Sequence, residues 1–417
     1  MMKAGVFLLL TVAVLTKGQS ITGPITQDFQ TWLSKHGYQD QDFVRSDMGS
    51  SGSYGGKTSS KEKIVHQPVI FIHGNSDAAL NHGGIASGWT NSISYFLSQK
   101  YTSAELYATT WGDANSMEAS FRTHDCTTLL RMRKFVEAVI AYTNQTHVDI
   151  IGHSMGVTIG RRIIRGGTVS LQGQQCELGK SLASKVDTFV GISGGNYGLC
   201  NCAGIEAIMA PTCNKDDGFW PGDSCGINMM CGFAISPCDA TLYSSYLMSM
   251  NSDNKKEGKY VFAAWSTMDD LIMYQDNVWG KPTSSIPTAT DKKIYTTYTH
   301  MQTKEQTAAD QFDMVVHHII FRMATSQAPT TERFHVLAQL EHLQSRYTGC
   351  GHSDSNKWDW LTNQHRDTSA SIAGHPDHLT FMAVGKNYSR ERARMELLNK
   401  MIQPCGLPPK KTPLDDL

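Results

Sequence analysis

Neither sign of charge dominates the 417 residues: 37 lysines and arginines stand against 38 aspartates and glutamates. That balance excludes a protein built to coat nucleic acid and leaves room only for a local basic patch. Charged residues are also few, at 18% against 40% apolar, which excludes a chain disordered as a whole. Long apolar runs are missing as well. After the first 16 residues nothing approaches the ~20 apolar residues that a spanning helix needs, so no stable membrane span is expected. Cysteine is absent between Cys238 and Cys350; eight of the ten lie before residue 240, and Cys350 and Cys405 lie far downstream. The length suggests two or three domains. The cysteine asymmetry adds that two halves mature in different places.

What the sequence does contain begins with Met-Met-Lys and the apolar residues 4–16 (AGVFLLLTVAVLT). A basic start, a short apolar run and small residues at Thr16 and Gly18 read as a secretory signal peptide over residues 1–20. In an oxidising compartment Cys126, Cys176, Cys200, Cys202, Cys213, Cys225, Cys231 and Cys238 form an even set and read as disulfides rather than a metal site. Six of them crowd into 200–238, a stretch rich in Gly, Pro, Asn and Asp that reads as a loop stapled by bridges. The pairing inside it stays open, and Cys126 and Cys176 are left to pair with each other. Asn144-Gln-Thr146 is an N-glycosylation acceptor, used only if the chain is secreted.

Within the N-terminal segment 21–66, residues 46–63 (SDMGSSGSYGGKTSSKEK) show no apolar period and read as a flexible surface loop. Compact apolar runs follow at 68–72, 148–151, 186–192 and 260–265, each fitting a buried parallel strand. Residues 127–143 and 157–165 have helical spacing. Strands alternating with helices predict an α/β fold around a mostly parallel sheet. After about residue 320 the strand signal stops. Val336, Leu340, Leu343 and Tyr347 share one helical face that Gly349 would end, Pro376 suits the start of a helix, and Ser389 suits the cap of a last one ended by Pro404. A small all-α domain over 333–405 is therefore expected, after a linker at 323–332 and before a flexible tail at 406–417. Residues 323–417 carry 11 basic and 10 acidic side chains, so they are not a basic arm.

Gly152-His153-Ser154-Met155-Gly156 follows a buried strand and precedes a helix, the setting of a nucleophile elbow. The sharp turn points the serine oxygen out of the sheet, and side chains at the two glycines would collide with neighbouring elements. Serine is a poor nucleophile until a histidine takes its proton. On this kind of sheet an acid and then a histidine follow in chain order. Asp269 and Asp270 both lie beyond the 260–265 strand, and Asp269 is chosen because it is nearer the strand end. His300 precedes a helical run at 305–316, whereas His317 and His318 come at its end, so His300 is the expected base. Two N–H groups should hold the negative oxygen of the transition state: that of Met155, and that of Asn75 in the loop after the first strand. His73 there reads as a residue that orients the loop.

VIFIHGN, VDIIGHSMG, FVGISGGNYG, WSTMDD and THMQT together resemble the class 2 lipases of the α/β-hydrolase superfamily, over about residues 67–318. The resemblance implies an α/β-hydrolase domain over 67–322. It implies hydrolysis of carboxylic esters, acylglycerols above all, by Ser154, Asp269 and His300, with no metal or organic cofactor. The loop 200–238 then stands between elbow and acid, where a substrate-covering lid would sit.

The tail shows no catalytic order. Cys350-x-His352, His365 and His375-x-x-His378 match no common zinc spacing, so no metal site is expected. Trp358 and Trp360 with Leu361 read as a helix face that packs on a partner. From Gln339 to Asp367 the run QLEHLQSRYTGCGHSDSNKWDWLTNQHRD, continued by GHPDHLTFMAVGKN and MIQPCGLPP, closely resembles splicing factor 3b subunit 5, over about 333–410. This implies a small, non-catalytic nuclear protein of the U2 small nuclear ribonucleoprotein, packed against the large helical-repeat and propeller subunits of its complex. A signal peptide would carry such a tail where it has no partners, and Met323 begins a natural start. The expectation is a secreted serine ester hydrolase joined to a nuclear splicing subunit, first of all by the merging of two adjacent genes. A real fusion whose tail is a passenger and a tail made separately from Met323 are the other two readings. The rival expectation is a non-catalytic splicing subunit with an irrelevant hydrolase attached.

Overall fold

The four apolar runs lie side by side because each is buried on both faces. The computed structural model describes residues 21–203, 209–222, 231, 243–321 and 357–406, and the chain divides into two units, Met1–Arg322 and Met323–Leu417. Cys225, Cys238, Cys350, the signal segment, the linker and the helical spacing at 331–347 lie outside the described residues. In the first unit the elements run α1 (Gln27–Lys35), β1 (Ser53–Tyr54), β2 (Val69–Ile72), α2 (Thr90–Ser98), β3 (Leu106–Thr109), α3 (Cys126–Thr143), β4 (Val148–His153) and α4 (Met155–Arg165). There follow the hairpin β5–β6 (Thr168–Leu171, Gln174–Glu177), β7 (Val186–Ile192), α5 (Ser245–Asn251), β8 (Tyr260–Ser266), the short pair β9–β10 (Asn277–Val278, Lys281–Pro282), β11 (Asp291–Tyr295), α6 (His300–Glu305) and α7 (Ala308–Phe312).

Seven strands form one sheet in the order β1-β3-β2-β4-β7-β8-β11, parallel throughout except for β1, which runs antiparallel to β3. This is the mostly parallel α/β-hydrolase sheet that the sequence led us to expect. Side chains alternate across it. Val69 and Phe71 meet Ile93 and Phe96 of α2 on one face, while Ile70 and Ile72 meet the core of α3 and α4, including Phe135, Val139, Ile159 and Ile163, on the other. Full burial of each such side chain contributes about 1.5–3 kcal/mol over leaving it exposed. From β2 the chain winds first to β3 on one side, then back to β4 on the other. The loops leaving β2 and β4 therefore face a crevice at the strands' carboxyl ends, where open α/β sheets hold their ligands.

Helix α4, behind that crevice, is pinned by a buried network. Arg161 donates to Glu257 at 2.9 Å, to Asn196 at 2.8 Å and to Asn251 at 2.9 Å. Among the described residues three disulfides brace the unit. Cys126–Cys176 joins the start of α3 to β6, and Cys200–Cys231 and Cys202–Cys213 staple the loop after β7. No helix among the described residues is long and apolar enough to cross a membrane.

Residues 46–63 correct the expectation of a flexible loop. Met48 and residues 51–56 are buried, and Ser53 and Tyr54 pair with Thr109 and Ala108 as the edge strand β1. A Cβ on Gly55 would stand 2.2 Å from the Leu106 carbonyl oxygen, and one on Gly56 2.3 Å from Thr26 Oγ1. The glycines are there because backbone packs against its neighbours, not because it is loose. Exposure is confined to Ser46, Asp47, Gly49 and Ser50 at its start and to residues from 58 onward at its end. The run 305–316 is helical with one break: α6 ends at Glu305, and α7 begins at Ala308 and continues directly into a π-helix over Asp313–His317.

The second unit contributes three described helices, α8 (Lys357–Gly374), α9 (Pro376–Lys386) and α10 (Arg390–Ile402). Pro376 stands in the first turn of α9, where its missing N–H costs nothing, and Ser389 caps α10 by accepting the Arg392 N–H at 3.2 Å. Ala373, Leu379, Ala383, Ala393 and Leu397 form their shared core, while Phe381, Val384 and Ile402 face solvent.

Candidate active site

The elbow between β4 and α4 forces Ser154 to φ 53°, ψ −127°, a conformation that L-residues adopt only where surrounding structure holds it. The Ser154 N–H donates to the Ile192 carbonyl at 2.8 Å, which ties the turn to β7. Both motif glycines are required sterically. A Cβ on Gly152 would lie 2.8 Å from the Gly156 carbonyl oxygen, and one on Gly156 only 2.3 Å from that of Ile72. The bare Gly156 thus lets the first turn of α4, where the Met155 N–H sits, abut the end of β2.

The acid and the base expected from the sequence follow the last two strands of the sheet. Asp269 follows β8, and His300 opens α6 just beyond β11. Thr299 and Gln302 cap that helix reciprocally, a capping box that sets its first turn. Asp269 Oδ2 accepts from His300 Nδ1 at 2.7 Å, while its Oδ1 accepts the N–H groups of Leu271 at 3.0 Å and Ile272 at 2.8 Å. Burial alone would raise the Asp269 pKa. The imidazole bond, the histidine's charge and the two N–H groups outweigh burial and hold the carboxyl below its usual range. With Nδ1 protonated toward this carboxylate, Nε2 is the ring's basic nitrogen. Exposed Asp270 binds the same histidine differently, its Oδ1 accepting the backbone N–H of His300 at 2.9 Å.

Across the crevice, Gly74 lies against Ser154. Asn75, next along, is anchored by its side chain, which donates to the Ala119 carbonyl at 2.8 Å and accepts from Arg122 at 2.8 Å. His73 holds the loop from behind. Its Nδ1–H donates to the Gly74 carbonyl at 2.7 Å, its Nε2 accepts the Trp111 N–H at 3.0 Å, and the Trp111 indole N–H returns a bond to the His73 carbonyl at 2.9 Å. Burial keeps this ring neutral, its pKa pushed down to about 4. Asn144 is exposed at the left-handed C-terminal cap of α3.

Three partners at this site escape a sequence reading. His153, the residue before the serine, is buried and donates from Nε2 to the His300 carbonyl at 3.1 Å. Its pKa lies well below the ordinary histidine value because of burial and then the charges of His300 and Lys304. The other two are Asp77 and Lys304, a buried ion pair at 2.6 Å between the β2 loop and α6. Lys304 is four residues after His300, so it shares that residue's helix face, the one signal that could have drawn attention to it. Among the described residues no group of three metal-ligating side chains comes together.

A family model described as Lipase (class 2) matches residues 66–313. The chain belongs to the class 2 lipases. Its lipase unit is similar in fold to lipase B of Aspergillus fumigatus, at 12% identity and TM-score 0.41, covering 64% of this chain but only 56% of that one. It is also similar to a monoacylglycerol lipase of Paleococcus ferrophilus, at 13% identity and TM-score 0.37, covering 64% and 98%. Downstream of the lipase unit, the model for Splicing factor 3B subunit 10 (SF3b10) matches residues 332–409. Splicing factor 3B subunit 5 of Drosophila melanogaster is 54% identical over 80 residues, which is 94% of that protein and 19% of this chain. The Mus musculus protein is 51% identical over 81 residues, with the same coverage. The tail is thus a member of that second family.

Proposed function

We propose that the lipase unit is a secreted serine hydrolase of carboxylic esters, acylglycerols above all. Ser154 Oγ attacks the ester carbonyl carbon while His300 Nε2 takes the hydroxyl proton, and Asp269 holds the ring and stabilises its charged form. The N–H groups of Asn75 and Met155 receive the oxyanion. The imidazolium then protonates the leaving alcohol, which departs and leaves an acyl-serine. Water, deprotonated by His300, releases the acid and restores the serine. The scheme uses no metal or organic cofactor. The observation that carries it is the 2.7 Å bond between Asp269 and His300, in a chain whose elbow serine is held at φ 53°. Secretion is supported by the leader at 1–20 and by three disulfides, which persist in oxidising compartments, with Asn144 glycosylated on the way. The test is Ser154→Ala in the purified chain. Turnover of a soluble ester should fall by about 10⁴-fold or more, and near-normal turnover would overturn the assignment.

A second reading applies to the tail. At 54% identity over 94% of the Drosophila subunit, residues 333–405 are proposed to be a non-catalytic helical member of the splicing factor 3b complex. They would be held in the nucleus by its large helical-repeat and propeller subunits. On this reading the chain joins two neighbouring genes, and the tail is made separately from Met323. A single transcript reading without interruption across codons 318–326, translated into one polypeptide, would refute the merge. Failure of residues 323–417 to copurify with the complex would refute the assembly.

A further inference from the structure

We infer that the buried Asp77–Lys304 ion pair is a positioning device for ester hydrolysis, fixing the helix that carries His300 against the loop that carries Asn75. The inference rests on the reading just given of the site. Lys304 Nζ donates to Asp77 Oδ2 at 2.6 Å and to Ser87 Oγ at 3.0 Å, and stands 5.6 Å over the Trp89 ring. The second Asp77 oxygen is occupied too, accepting the N–H groups of Ala78 at 2.9 Å and Gly88 at 2.8 Å. The side chains are 3% and 1% exposed, so the pair is out of water. Burial raises the Asp77 carboxyl, but the lysine charge, together with the smaller charge and hydrogen-bond contributions around it, outweighs this and the group stays ionised.

A pair so placed is a poor source of net stability, because stripping water from two charges costs about what their attraction returns. What it does supply is one geometry. Asp77 is two residues beyond Asn75, and Lys304 is one helical turn beyond His300. The pair thus sets the distance between the N–H that would hold the oxyanion and the imidazole that would move the proton. The His153 bond to the His300 carbonyl ties the same helix to the elbow. The proposed reaction needs both placements at once, and errors of about 1 Å in such a site cost about 100-fold in rate.

The experiment compares the full-length secreted chain with Ser154→Ala, Asp77→Asn, Lys304→Met and the double Asp77→Leu/Lys304→Met, reading Tm, kcat and KM on a soluble ester. Each single change leaves a buried charge unpaired and should lower both Tm and kcat. The double removes both charges and should bring Tm back to within a few degrees of wild type. Its kcat should stay about 10–100-fold low, with KM within about threefold. A merely structural pair would restore kcat along with Tm, and that outcome overturns the inference. If the double is not secreted, Asp77→Glu serves instead. It keeps the charges but lengthens one arm, so kcat should drop about tenfold at near-native Tm, and an unchanged kcat sinks the idea. A wild type no faster than Ser154→Ala removes the ester-hydrolase reading and this inference with it. An active wild type matched by the double removes this inference alone.

Discussion

Gly74 stands directly against Ser154: a Cβ at residue 74 would come within 2.8 Å of the serine's own Cβ. A methyl group there must push the loop back, and the Asn75 N–H goes with it. Gly74→Ala should therefore lower kcat on a soluble ester by about 10–100-fold, approaching the loss of one oxyanion donor, while Tm moves little. An unchanged kcat would remove this loop from the site.

The two neighbouring aspartates should separate cleanly. Asp269 reaches the imidazole and Asp270 only the backbone of the same residue. Asp269→Asn should cost about 10³–10⁴ in kcat, because an amide favours the wrong ring tautomer. Asp270→Asn should cost about tenfold or less. Kinetics on the two purified variants decide the matter, and the reverse ranking would exchange their roles.

Acid should destabilise the lipase unit through its buried histidines. His73 and His124 are pushed down to about 4 by burial, and His153 lies well below its ordinary value for the same reason. These rings are neutral when folded, whereas an unfolded chain takes up their protons below about pH 6.5. Their contribution is thus complete above pH ~6.5 and is lost as pH falls toward about 4, at up to about 1.4 kcal/mol per pH unit for each ring. His124 accepts from Thr158 Oγ1 at 2.7 Å and donates to the Asp217 carbonyl at 2.6 Å. Urea unfolding at pH 7, 6 and 5 should show this slope, and His124→Gln should flatten it by about one proton. An equal slope in that variant would mean that the ring is charged in the fold.

Removing the Cys126–Cys176 bridge, which closes 50 residues between α3 and β6, should cost about 2–5 kcal/mol. In a unit of this size that is a Tm loss of about 10 °C, measurable by calorimetry on Cys126→Ser/Cys176→Ser. No change in Tm would mean that the hairpin packs as well without its tether.

The central strands were legible because burial on both faces leaves an unbroken apolar run, as in VIFI and VDTFVGI. The edges were not. β11 reads DKKIY, since an edge strand half in water has no need of a continuous apolar run, and β1 hides in a stretch whose glycines imitate a linker. Ser154 was visible from a local motif, and Asp269 and His300 from chain order. The split duty of Asp269 and Asp270 was not, because it depends on which atom of His300 each side chain reaches. Asp77 and Lys304 were beyond reach for a simpler reason: 227 residues separate them, and neither sits in a motif.

The same pair bears on how the protein can change over time. Loss of either charge alone strands the other away from water, at a cost of about 3–5 kcal/mol, a large share of a typical domain's stability. Neutral drift at one position is closed while the other stands. Across descendants of this sequence, residues 77 and 304 should be inherited together or replaced together, although the chain gives no other reason to compare them.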